Sequence, residues 1–155
     1  MNALTLHQPV ASMMGDPPFK NIENRTWAPP VRMRDVRIAI HAGLHRNEEY
    51  AIWIAKQAPF ASLEEAAEFD RRLTSQITGS VVSTAVLRGW WDARTKTGRG
   101  ADSSVIEKSK WFLGPVGWLF SDFRILAEPI PCKGHQKLWR LPDEITETLY
   151  DETSL

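Results

Sequence analysis

The residues best suited to chemistry crowd into one short run, Lys20-Asn21-Ile22-Glu23-Asn24-Arg25-Thr26-Trp27. It holds an ammonium, a carboxylate, a five-donor guanidinium and an indole. Glu23 and Arg25 stand two apart, so on a strand both side chains point to one face. Lys20 comes just before that strand, at the end of the turn-rich Gly15-Asp16-Pro17-Pro18 segment. Such a set can bind a nucleotide. Lys20 and Arg25 would take a phosphate or a base edge, and Trp27 would offer a stacking surface contributing about 1–3 kcal/mol per base. Glu23 would accept from a base amino group or serve as a general base. The same residues also fit a structural role, with Glu23 and Arg25 as an ion pair and Trp27 in the core.

Other groups are less dense. His7, Gln8 and Ser12 precede or open a first helix, whose free N–H groups favour an anion. Ser83 and Thr84 lie mid-strand, where one hydroxyl faces inward if the other faces away. His41 and His45 stand four apart, which on a helix would align two imidazoles, but a strand ending at Ala42-Gly43 argues against that geometry. His7, His135 and Cys132 fall into no ligand spacing, and no His-Glu-x-x-His or paired Cys-x-x-Cys occurs. No metal or cofactor is expected. There is no nucleophile elbow, Cys132 between Pro131 and Lys133 reads as structural, and Gly98 and Gly100 lack the strand-then-helix context of a phosphate loop.

The elements that must carry these groups follow from pattern. Residues 3–6 read as a short strand, and Pro9 suits the first turn of a helix that Gly15 stops. Residues 37–41 read as a strand, 47–57 as a helix, and Ser62-Leu63-Glu64-Glu65 as a capping box opening a second helix to about residue 75. The Val- and Thr-rich run 79–87 reads as a central strand. Residues 92–104 are polar, with Thr95 to Gly100 the best candidate for a mobile loop. One strand is expected over 117–120 and 123–127, with a bend at Ser121-Asp122, and a closing strand at 137–141. A short acidic helix is expected from about 142. Short strands with helices between them indicate one α+β domain spanning 1–155.

Bulk properties narrow the classes. Apolar residues at 43% and charged residues at 25% indicate a globular chain rather than a disordered one. Lys+Arg and Asp+Glu are equal at 19 each, so no global basic signature marks a phosphate binder. The charge is segregated, however. Residues 20–46 carry roughly +4, residues 88–110 roughly +3, and the tail after Leu141 has acids only. Seven tryptophans suit both a core and stacking pockets. The single cysteine excludes an intramolecular disulfide and reads as intracellular, and no signal peptide or membrane-length apolar run is present, so the expected address is the cytoplasm.

Five motifs in order then carry a resemblance. Leu4-Thr5-Leu6-His7-Gln8-Pro9-Val10-Ala11-Ser12, Lys20-x-x-Glu23-x-Arg25-x-Trp27, the glycine-led strand at 79, Gly114-Pro115-Val116-Gly117-Trp118 and Lys133-Gly134-His135-Gln136-Lys137-Leu138-Trp139 together resemble the ASCH domain family (activating signal cointegrator homology) of the PUA-like superfamily, over residues 3–141. The resemblance implies a small mixed PUA-like β-barrel with flanking α-helices and a cleft beside the first helix. It also implies an RNA-linked function, with single-stranded RNA or a nucleotide as ligand and DNA as a second candidate. Trp111, Lys133 and Gln136 would line the cleft rim. One branch of the family hydrolyses acetylcytidine nucleosides with a lysine, a threonine three residues on, and a glutamate on a later strand. Here Lys20 matches, Glu23 replaces the threonine and 79–87 holds no carboxylate, which argues against that amidohydrolase activity. Metal-independent ribonuclease activity is the enzymatic alternative, with Lys20 and His7 as catalytic groups and Arg25 on the phosphate. A modified-base or small-molecule sensor with a Trp90 or Trp91 cage is a third.

Overall fold

The computed structural model describes residues 1–58 and 61–153. Among these, a mixed α+β architecture is built on a seven-stranded sheet and five α-helices. The strands are β1 (Asn2–Gln8), β2 (Ile22–Arg25), β3 (Val36–Arg46), β4 (Ser80–Asp92), β5 (Thr97–Arg99), β6 (Val116–Pro131) and β7 (Leu138–Arg140). The helices are α1 (Val10–Met13), α2 (Glu48–Ala55), α3 (Leu63–Leu73), α4 (Ser103–Glu107) and α5 (Asp143–Thr153). Strand order is β2-β6-β4-β3-β1-β7, with β5 on β4, an open path among the described residues.

Two compact units divide the chain. Unit 1 holds Met1–Met13, Arg37–Ala85 and Arg124–Leu155, and unit 2 holds Met14–Val36 and Val86–Phe123. In unit 1, β1 and β3 pair in parallel with Thr5 opposite His41, and β7 pairs antiparallel with β1, Ala3 opposite Trp139. One face of these strands buries Ala3, Ala39, Val81, Leu126 and Trp139 against Leu141 and Leu149, the last from α5. In unit 2, β2 pairs antiparallel with β6, and Ile22, Trp118 and Phe120 are buried.

The helix starts follow their caps. The Asn47 side chain accepts from Tyr50 N–H at 2.9 Å, and Ser62 Oγ accepts from Glu65 N–H at 3.1 Å, as the capping box predicts. The acidic terminal helix forms as α5. Two expectations change. The strand expected to end at Ala42-Gly43 continues to Arg46, because Gly43 lies close against β1: a Cβ there would stand 3.1 Å from Thr5 Cγ2. The stretch read as a mobile loop contains β5, where Gly98 faces Trp91 with no side chain to obstruct the pairing. Strand β6 runs through Ser121-Asp122, where a bend within one strand is expected, and Asp122 takes φ 53 there.

Candidate functional site

In unit 2 the Lys20 run forms a bracket. A bridge from Met14 to Lys20 and the Gly15 N–H donating to the Lys20 carbonyl at 2.8 Å fix the backbone before β2. The Lys20 side chain is then fully buried, and Nζ donates to the Ile22 carbonyl and to Glu23 Oε2 at 3.0 Å. Arg25 Nε stands 3.5 Å from Glu23 Oε1, so one carboxylate holds two cations. Burial pushes the Lys20 ammonium below its ordinary pKa, and the Glu23 charge opposes that shift. Lys20 is therefore not positioned as a surface contact to ligand: its charge is spent on Glu23 and a main-chain oxygen. The ion-pair reading of Glu23 and Arg25 holds, while Arg25 keeps about a quarter of its side chain exposed (24%).

The neighbouring aromatics are anchored. Trp27 is half-buried, its ring edge-on to Trp118 at 4.8 Å, and its carbonyl accepts from Trp118 Nε1 at 3.0 Å. Trp111 is core, not rim, and its carbonyl accepts from Asn24 Nδ2 at 2.9 Å. Asn24 Oδ1 takes the N–H groups of Leu113 and Gly114, so one amide ties β2 to the turn before β6. Further along unit 2, Trp90 lies opposite Arg99 in the β4–β5 hairpin, and the Arg94 guanidinium clasps Asp92 through Nε at 3.0 Å and Nη2 at 2.9 Å. That clasp pulls the Asp92 carboxyl down to about 2. Arg94, Lys96 and Arg99 are exposed, and Trp90 and Trp91 are half-buried beside them.

Unit 1 holds the remaining predicted residues. Gln8 is buried, and its amide is satisfied within the fold: Nε2 donates to the Ile77 carbonyl at 2.6 Å and to Ser12 Oγ at 2.8 Å, while Oε1 accepts from Ser12 N–H at 3.2 Å. Gln8 and Ser12 thus brace the β1–α1 junction. Ser83 and Thr84 are both buried, and Thr84 Oγ1 accepts from Arg37 Nη1 at 3.1 Å, so neither hydroxyl reaches the surface. His7, Lys133 and Gln136 do come together, at a cavity of about 450 Å³.

That cavity also gathers His41, His45 and His135, so all four histidines of the chain line it. A strand ending at Ala42-Gly43 leaves His45 outside it, but β3 runs on to Arg46 and carries both histidines. On a strand, positions 41, 43 and 45 share one face, as do 5 and 7 on the parallel neighbour β1. The period-two signal was available. The rings of His7 and His45 meet edge-on at 5.0 Å, and His135 lies 5.0 Å from Trp139. His41 is buried; its Nε2 is 3.0 Å from the Cys132 carbonyl, and burial lowers its pKa. No cluster of metal-ligating side chains is found among the described residues.

Set against known proteins, the chain matches no family model and no curated protein. No described helix is long and apolar enough to cross a membrane.

Proposed function

We propose that this is an RNA-binding protein of the ASCH, PUA-like kind, acting in the cytoplasm on single-stranded RNA or a nucleotide within it. The order of its five motifs supports the family likeness and, with it, closure of the sheet into a PUA-like barrel. One observation carries the binding reading. Unit 2 gathers ten Lys and Arg against seven Asp and Glu, with Trp90 and Trp91 half-buried beside the exposed Arg94, Lys96 and Arg99. Basic side chains interleaved with aromatic faces suit single-stranded nucleic acid, where cations follow the phosphates and rings stack on bases.

The roles then divide. Arg25, Lys96 and Arg99 meet phosphate, and Trp90 or Trp91 supplies a stacking surface. Lys20 is a positioning residue that acts through Glu23 on Arg25. The test is fluorescence anisotropy with a short 5′-hydroxyl single-stranded RNA over a salt series. Affinity should fall linearly on a log–log plot, and Lys96→Ala with Arg99→Ala should each flatten the slope by about 1. Binding that ignores salt would overturn the reading. Cleavage of the RNA that survives chelator and vanishes in His7→Ala would instead favour the metal-independent ribonuclease.

A further inference from the structure

We propose that the histidine-lined cavity of unit 1 binds a nucleoside monophosphate, with the base at its floor and the phosphate at its rim. The site lies wholly in unit 1 and does not rest on the RNA reading of unit 2.

Three features of the cavity select this chemistry. The first is charge. Its lining holds Lys133 and four imidazoles and no carboxylate, so no fixed negative charge there opposes an anionic group and Lys133 attracts it. Lys133, His7, His45 and His135 are exposed and form the rim.

The second is one oriented polar atom at the floor. The Cys132 carbonyl can only accept, so the His41 Nε2 facing it at 3.0 Å carries the ring hydrogen. In the neutral ring Nδ1 is then a bare lone pair. It is buried and has no hydrogen-bond partner, and His41 is only 1% exposed. A buried acceptor without a donor is costly, and a ligand N–H that enters as the Gly134 backbone yields from that edge of the ring removes the cost.

The third is the close packing of glycine beside a cavity of the right size. A Cβ on Gly134 would fall 2.5 Å from His41 Cε1, 2.7 Å from Nδ1 and 3.0 Å from Thr5 Oγ1. Nothing larger than hydrogen can stand on residue 134 beside that edge of the ring. The cavity next to it, lined by His7, His45 and His135, is of a size that takes small organic ligands. A flat ring carrying an N–H donor, joined to a phosphate, satisfies all three features. Nucleobases with an exocyclic amino group, adenine, cytosine and guanine, meet the requirement.

The experiment follows the imidazole C2–H resonances of the full chain, with calorimetry, as AMP or CMP is added. Saturable binding that moves His41 is expected, with adenosine and inorganic phosphate each binding about tenfold or more weakly, the share of one charge-assisted hydrogen bond. Lys133→Ala, an exposed change that leaves the fold intact by circular dichroism, should weaken AMP about tenfold by losing the phosphate contact. Gly134→Ala should abolish the His41 shift. A 5′-phosphorylated oligonucleotide that competes with AMP, where its 5′-hydroxyl twin does not, would place an RNA end in the cavity; competition by neither would assign it to the free nucleotide. Phosphate binding as tightly as AMP, or no saturable shift, would overturn the proposal. So would unchanged AMP affinity in both variants. Because the RNA assay uses 5′-hydroxyl strands, its failure is distinguishable from failure here.

Discussion

Lys20 and Glu23 form a buried ion pair, Nζ to Oε2 at 3.0 Å, in which the lysine has no exposed surface and the glutamate very little. Removing one partner of such a pair leaves an uncompensated buried charge, at about 3–5 kcal/mol. Glu23→Ala strands the Lys20 ammonium and should lose stability in that range. Lys20→Met should lose less, because Glu23 still has Arg25 at 3.5 Å. The double variant Lys20→Met with Glu23→Leu should recover most of the loss. Urea melts of the three proteins decide the order.

The same lysine sets an alkaline signature. Its folded pKa lies below 10.5, so between that value and 10.5 the unfolded chain binds more protons than the folded one. Stability contributed by this group therefore rises with pH through that window. The rise should appear in urea midpoints measured from neutral pH to 10.5, and Lys20→Met should remove it.

Asp92 gives the same sign at the acid end. Its carboxyl, held at about 2 chiefly by Arg94, contributes stability that is complete above 3.8 and is lost as pH falls through about 2. Arg94→Ala should return the carboxyl toward 3.8, incompletely, because the residue 94 N–H still donates to Oδ1 at 2.9 Å. A carbon-13 titration of the Asp92 carboxyl measures this, and an unmoved midpoint would refute the clasp.

Gln8→Ala should cost about 1–3 kcal/mol in thermal or urea melts, since it removes a buried amide with its hydrogen bonds to the Ile77 carbonyl and to Ser12. Affinity for single-stranded RNA should stay unchanged. A selective loss of affinity with stability intact would return Gln8 to the ligand site.

Gly98→Ala should weaken the β4–β5 pairing. Its Cβ would stand 2.5 Å from the Trp90 carbonyl oxygen and 2.7 Å from Trp91 Cε3, so strand or ring must move, at about 1–3 kcal/mol. The emission of Trp91 should shift with it.

Much of the fold was readable from local chemistry. Ser62 announces α3 because capping is a short-range interaction, and the Val- and Thr-rich run at 79–87 announces β4 through its local composition. The hairpin partner β5 was hidden because Thr97-Gly98-Arg99 has turn composition, and its strand geometry depends on contact with Trp90 and Trp91 across the pair. The Glu23–Arg25 pairing follows from period-two spacing. The burial of Lys20 does not, since nothing in a lysine's neighbours reveals that its amine reaches back to Ile22 and Glu23. The cavity was the least visible feature. It takes residues from β1, β3 and the segment before β7, brought together only by strand pairing.

The two units also differ in what they show to a spectrometer. Every imidazole belongs to unit 1, whereas Trp27, Trp90, Trp91, Trp111 and Trp118 belong to unit 2. Proton resonances of the histidines therefore follow one unit, and indole emission is dominated by the other. A single unlabelled sample, melted while both signals are recorded, distinguishes one concerted transition from two successive ones.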